Sequence, residues 1–366
     1  YTRRLLAAVP RLDERTPLRA APDTGACAPV LEVRHLTVQF PLPRQRLLAR
    51  REYFCAVEAA DLTLAPGETL GVVGESGCGK SSLARAVLRL LPASEGRVAL
   101  LGRPLDRLDR AGMRAVRRDL QLVFQDPLGS LDPRMPIGEI VAEPLLVHER
   151  GLSRGERRER VAAMLERVGL GPETVSRYAH ELSGGQCQRV GIARALVTRP
   201  RLLICDEAVS ALDVSVQAGI IDLLLSLQQE MGLAVLFIAH DLAVVRRVSH
   251  RVMVMYLGRI VERNGAGELY ARPRHPYTRA LLDAVPVPDP AVERRRPRPA
   301  AAGDLPVPWN PPSGCAYRTR CPWAVERCAA DEPALRSVDG GEAACHLADE
   351  LDLSLTRQAA PAAADR

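Results

Sequence analysis

Lysine is all but missing from this chain. Of 50 basic residues one is lysine, Lys80, and the rest are arginine. A delocalised guanidinium fork replaces a compact ammonium poorly where phosphate is gripped as a point charge, so the one retained lysine marks its own surroundings. Long apolar runs are absent too: the longest fall far short of the ~20 residues a membrane span needs. No charged-then-apolar stretch of signal type opens the sequence. The expectation is a chain in the cytosol or held on a membrane by partners. A disulfide framework is also missing from most of the sequence. Cys27, Cys55, Cys78, Cys187 and Cys205 stand isolated, which argues for a reducing compartment. The net charge of +6 is not gathered into one patch; arginines cluster at 44–51, 154–160 and 294–298 and are otherwise scattered. That reads as a solvated arginine-rich surface rather than a nucleic-acid interface. A length of 366 residues with 47% hydrophobic content suits one large globular domain with an appendage, or two domains.

Around the lone lysine the chain reads Gly74-Glu75-Ser76-Gly77-Cys78-Gly79-Lys80-Ser81-Ser82. The apolar run 69–73 precedes it, and Leu83, Val87, Leu90 and Leu91 follow at helical spacing, so the order is strand, glycine loop, helix. That order makes Gly-x-x-x-x-Gly-Lys-[Ser/Thr] a phosphate cradle. The glycines let backbone N–H groups turn inward, the helix start adds positive dipole, Lys80 reaches the terminal phosphates and Ser81 offers a hydroxyl to Mg²⁺. A chance glycine turn is the bland alternative, and the flanking strand and helix speak against it.

From the N-terminus onward, residues 1–14 echo residues 277–290 through a shared Tyr-Thr-Arg-x-Leu-Leu-x-Ala-Val-Pro pattern. The expectation is that 1–15 closes a preceding copy of one cassette, so that the chain is the second half of a tandem protein. Residues 15–29 read as a linker. Strands are expected at 30–40, 56–64, 97–101, 119–124, 201–207 and 233–239, with a last hairpin at 252–261. A helical pattern runs from 135 to 178, carried by Ile137, Ile140, Val141, Leu145, Val161, Met164, Leu165 and Val168. Further helices are expected at 188–198 and 216–231. Tyr53 or Phe54, about twenty residues upstream of the loop, either stacks on an adenine face or packs as strand core.

Six elements then agree in order and spacing: the loop 74–81, Gln125, Leu182-Ser183-Gly184-Gly185-Gln186, Asp206 with Glu207, Ser210-Ala211-Leu212-Asp213, and His240. In these the chain resembles the ATP-binding subunits of ABC transporters over about residues 30–260. The resemblance implies an α/β P-loop NTPase fold: a RecA-like core with an antiparallel β subdomain and an inserted helical subdomain at about 126–181. A carboxylate pair ending a buried strand beside the loop divides two tasks, Asp206 for Mg²⁺ and Glu207 for the attacking water. Gln125 can touch Mg²⁺ or the water, and His240 can hold the γ-phosphate and the water in line. Each has a plainer reading, as a helix cap or a lone structural histidine. Ser183, Gly184 and Gly185 are implied to cover ATP held by a second cassette, and Gln186 and Asp213 are implied to be ATP-binding as well. Two ATP molecules are then sandwiched in a dimer, and the isolated fragment should bind ATP but hydrolyse it slowly.

The segments 123–135, 204–213 and 275–282 look like the dipeptide and oligopeptide importer branch. That likeness implies peptide import through two transmembrane permease subunits served by an extracytoplasmic substrate-binding protein, at the cytoplasmic face of the bacterial membrane. Nickel and glutathione importers are close relatives of this branch. Cys187 and Ala179 depart from its usual arginine and proline, with activity expected to survive. The expected division is 30–268 for the cassette, 269–350 for a Cys-rich C-terminal extension and 351–366 for a disordered tail.

In that extension Cys315, Cys321, Cys328 and Cys345 are spaced C-x5-C-x6-C-x16-C, a pattern of neither a zinc ribbon nor a ferredoxin. Four thiolates so close in sequence can meet at one centre and order a weakly hydrophobic, proline-rich tail. Some members of the branch carry a [4Fe–4S] cluster on such a tail, and the four cysteines match. The cluster is therefore expected, with Zn²⁺ or free thiols as alternatives. Arg318 and Arg320 are expected to hydrogen-bond around that centre. Against the transport ATPase stand a translation-factor or chromosome-structure ATPase and a nucleotide-binding regulator without turnover. The first would show a long coiled-coil insertion or a basic interdomain linker, and this chain has neither.

Overall fold

A computed structural model describes residues 12, 27–42, 52–287, 289–294 and 306–354. Apart from Leu12, the expected tandem repeat at 1–14 lies outside the described residues, as does the expected tail from 355 onward.

Strands β1 (Leu31–Pro41) and β2 (Tyr53–Leu64) pair antiparallel. With β4 (Glu95–Leu100) and β5 (Arg103–Pro104) they form a four-stranded sheet in the order β2-β1-β4-β5. Leu31, Val33, Leu36 and Val38 of β1 are buried. Register shifts between them keep these apolar residues on the inner face despite the uneven spacing.

The second sheet holds eight strands. β3 (Thr69–Val73), β6 (Leu120–Val123), β7 (Leu202–Asp206), β8 (Ala234–Ile238) and β9 (Arg251–Tyr256) run parallel in the order β9-β3-β8-β7-β6. β10 (Arg259–Gly265) folds back antiparallel on β9. Strands covered on both faces are apolar at successive positions rather than alternate ones. Leu202 and Ile204 of β7 and Leu236 and Ile238 of β8 pack under the four-stranded sheet with Leu83 and Val87 of the helix Lys80–Val87. Leu203, Cys205, Val235 and Phe237 face the other way, into a core shared with the helical part.

That helical part contains Ile137–His148 and Arg154–Arg167, and packs on the helix Gly184–Leu196. Ser153 and Glu156 form a capping box that starts the second helix. The Pro136–Tyr178 bridge closes the base of the insertion.

The sequence reading missed one feature of the C-terminal segment. β11 (Arg336–Val338) and β12 (Gly341–Ala343) pair as a hairpin, and β12 adds to β10, extending the ATPase sheet itself. Strand addition therefore orders this tail by backbone hydrogen bonds, alongside whatever its cysteines contribute. Two strands of three residues carry too little periodicity to be read from sequence.

Candidate functional site

Register assembles the site. Val72 of β3 and Asp206 of β7 both pair with Ile238 of β8, and Val123 of β6 pairs with Cys205. The residues that follow, Gly74, Gln125, Glu207 and His240, therefore emerge together at the C-terminal edge of the parallel strands. Ligands of open α/β sheets bind at that edge.

The phosphate loop leaves β3 at Gly74 and ends at Gly79, which has φ 109° and starts the helix at Lys80. A Cβ on Gly79 would lie 2.1 Å from the Ala56 carbonyl oxygen of β2, so the close approach of loop to strand requires glycine. The helix starts at Lys80, two residues earlier than the apolar spacing suggests, because the loop amides end where its backbone bonds begin. Lys80 is buried, and its ammonium donates to the carbonyls of Gly74 at 2.8 Å and Glu75 at 2.9 Å. Its position on the inner side of the loop is thus held from within the loop.

The two carboxylates have separate partners. Ser81 Oγ donates to Asp206 Oδ1 at 2.9 Å. Burial pushes the Asp206 carboxyl above the usual range, against the lowering effect of the Ser81 bond. Glu207 stands one residue on in the left-handed region, φ 50°, its N–H given to Ile238 O and its carbonyl taken by Ser210 Oγ at 2.9 Å. That turn swings its side chain away from Asp206 to where Gln125 Nε2 donates to Glu207 Oε2 at 2.7 Å. Strain of this kind at a strand end is common where a side chain must be aimed. His240 is exposed, two residues beyond the pairing partner of Asp206.

Other expected residues lie apart. Ser183 caps the helix Gly184–Leu196, its Oγ accepting from Gln186 N, and Gln186 Oε1 accepts from Ser183 N. No hydrogen bond joins this segment to the phosphate loop among the described residues. Gly185 abuts Val216, where a Cβ would come within 2.5 Å of Cγ1. Asp213 is exposed at the start of the helix Val214–Met231. Tyr53 is 55% exposed at the start of β2, while Phe54 stacks on Phe40. Of the two aromatics, Tyr53 therefore keeps a free ring face. The two departures from the branch pattern meet: buried Cys187 places its Sγ 3.4 Å from the Ala179 carbonyl oxygen.

Cys315, Cys321, Cys328 and Cys345 line one small cavity with His346 and Trp323. Four soft donors around one buried space match the chemistry of a Cys₄ centre. Yet no three or more His, Cys, Asp or Glu side chains among the described residues stand grouped to hold a metal, and the thiols are free. Burial raises Cys321 and Cys345 each to about 11, so an incoming cation must displace their protons. Of the two arginines expected here, Arg318 lines the cavity and Arg320 does not. Arg318 donates to the Ser313 carbonyl, and Arg320 is spent on the phosphate loop.

That last contact is one the sequence did not suggest. Both terminal nitrogens of Arg320 donate to the Glu75 carboxylate, at 2.8 and 2.9 Å, and Glu75 N donates to Tyr277 Oη at 2.8 Å. Separations of 245 and 202 residues leave no local signal for either contact.

Comparison with known proteins agrees with this geometry. Residues 57–210 match the ABC transporter family, and residues 261–328 match the C-terminal region of oligopeptide/dipeptide transporters. The chain is 54% identical over 310 residues to the oligopeptide transport ATP-binding protein OppF of Haemophilus influenzae, covering 84% of this chain and 93% of that one. To OppF of Escherichia coli it is 53% identical over 324 residues, covering 88% and 97%. Among solved structures it resembles a dimeric ATP-binding cassette in a post-hydrolysis state bound to ADP and Pi. The TM-score is 0.58 at 29% identity, over 64% of this chain and 98% of that one. With the phosphate loop, the divided carboxylates and the C-terminal region all in place, the chain belongs to the ATP-binding subunits of ABC oligopeptide importers and is an ATPase.

Proposed function

We propose that this subunit binds ATP and Mg²⁺ at residues 74–82 and hydrolyses ATP to drive import of di- and oligopeptides. One observation carries the reading: the two adjacent carboxylates already have different partners, Ser81 for Asp206 and Gln125 for Glu207. Ser81, Asp206 and Gln125 would hold Mg²⁺, which offsets phosphate charge when bound. Lys80 and the backbone amides of 76–82 grip the phosphates. Glu207 accepts a proton from water as its oxygen attacks the γ-phosphorus and ADP departs, with Gln125 and His240 orienting that water. Tyr53 offers its free face to adenine. Ser183, Gly184, Gly185, Gln186 and Asp213 close over ATP held by a second cassette, a role in keeping with their separation from the chain's own loop.

In this reading the cassette occupies 30–268, with its helical insertion at about 126–181 gripping the permease subunits at the cytoplasmic face, and the extension runs from 269 to 350. No described helix is long and apolar enough to cross a membrane. That all four cysteines line one cavity is the ground for a [4Fe–4S] cluster there, with Zn²⁺ the alternative. Anaerobic purification with iron, sulfide and zinc analysis separates the two, and absence of all three overturns both. For the main reading, the test is Glu207→Gln in the assembled transporter. ATP binding should persist while hydrolysis and peptide uptake cease, and undiminished uptake would overturn it.

A further inference from the structure

Glu75, the second residue of the phosphate loop, is fixed at three points. Its amide is given to Tyr277, its carbonyl receives the Lys80 ammonium, and its carboxylate is clasped by Arg320 through both oxygens. Bidentate pairs of this kind fix direction as well as distance. Arg320 is itself held rigidly. Its side chain is 12% exposed, and its guanidinium lies 5.9 Å from the ring centre of Tyr256 and 5.7 Å from that of Tyr317. Tyr256, Tyr277 and Tyr317 pack on one another with centroids 4.6 to 5.4 Å apart. Desolvation by those rings strengthens the ion pair relative to an exposed one.

The backbone carrying Arg320 is a run of tight turns between two cysteines. Arg318 N donates to Cys315 O, Arg320 N to Tyr317 O and Cys321 N to Arg318 O, while Cys315 N donates to Cys328 O. Arg320 therefore keeps its aim only while the turn 315–321 stays folded against 328. A continuous mechanical path runs from that turn through Arg320 and Glu75 to Lys80.

We infer that Arg320 is a positioning residue for the phosphate loop, and that the folding of the cysteine-lined turn sets how tightly the loop holds ATP. The inference rests on the ATP-binding role given above to residues 74–82 but not on the presence of a metal. Arg320 acts by holding Glu75, whose carbonyl in turn holds Lys80. Binding linkage is reciprocal, so ATP must also steady the turn.

The test is a double-mutant cycle on ATP affinity in the full chain, with KM for ATP measured in the assembled transporter. Arg320→Ala and the near-isosteric Glu75→Gln should each raise the ATP Kd about tenfold, and the double variant should be no worse than either. Arg320→Lys should fall between, because an ammonium cannot clasp both oxygens. In the transporter KM should rise while kcat stays within ~2-fold. Arg336→Ala, which removes an exposed ion pair to Asp349 in the same segment, should leave Kd unchanged. Saturating ATP should slow amide hydrogen exchange across 314–328 in the parent chain and not in Arg320→Ala. Parent-like Kd in Glu75→Gln and Arg320→Lys, additive losses, or exchange at 314–328 indifferent to ATP would each overturn the inference. Failure of the parent chain to bind ATP would instead overturn the ATP-binding reading on which it rests.

Discussion

Alanine at Gly79 and alanine at Gly77 should differ sharply in cost, although both glycines lie in the same loop at positive φ, 109° and 81°. Both changes force a side chain into a backbone region that L-residues disfavour, at about 1–3 kcal/mol each. At Gly77 a Cβ meets nothing within 4 Å, so strain is the whole effect. At Gly79 the new Cβ lies 2.1 Å from Ala56 O and 3.5 Å from Gly258 Cα. Neither neighbour can retreat. Ala56 sits within β2, whose flanking Cys55 and Val57 pair with β1, and Gly258 N donates to Cys78 O while Glu58 N donates to Gly258 O. Overpacking adds about 1–3 kcal/mol, for a total near 2–6 kcal/mol at Gly79. Urea unfolding without nucleotide reads the stability difference, and titration with a fluorescent ATP analogue reads its consequence in the loop. Gly79→Ala should be the more damaged on both measures, with ATP affinity reduced at least ~10-fold. Equal destabilisation of the two variants, or a milder Gly79→Ala, would refute the steric argument.

Lys80→Ala removes the ammonium bonded to Gly74 O and Glu75 O and should weaken ATP binding by at least ~10-fold, checked by the same titration. Glu207→Gln keeps an oxygen able to accept from Gln125 but cannot take a proton, so single-turnover hydrolysis should fall ~10²–10⁴-fold with nucleotide affinity retained. Tyr277→Phe leaves the Glu75 amide without its acceptor and should cost ~1–3 kcal/mol in urea unfolding. Glu262 is fully buried, accepts from the amides of Arg274 and His275, and has its carboxyl raised by burial from 4.5 to about 7. The native state thus holds this proton more tightly than the unfolded chain. Its contribution to stability is full below pH 4.5 and lost as pH rises through about 7. Unfolding free energy measured between pH 5 and pH 7 should fall by less in Glu262→Gln than in the parent.

The chemistry of the site was legible because it is local. The glycine loop, the adjacent Asp206 and Glu207 and the Ser183–Gln186 cap each announce themselves over a few residues, since backbone turns and strand ends impose residue type at short spacing. The apolar strands 69–73, 202–206 and 234–238 were equally plain, because burial on both faces forces unbroken apolar runs. Strand boundaries shifted by one to four residues where hydrogen bonding, not hydrophobicity, sets the end, most at the start of β2 and the end of β10.

By itself the sequence determined which residues could do phosphate chemistry and in what order they lie along the chain. The tertiary structure decided what register and long-range contact decide: that Gln125 meets Glu207, that β12 extends the ATPase sheet, and that Arg320 reaches the phosphate loop rather than the cysteines beside it. Residue type and short spacing are local consequences of backbone geometry. An ion pair across 245 residues exists only once two sheets and a tail have packed, and no short-range pattern encodes it.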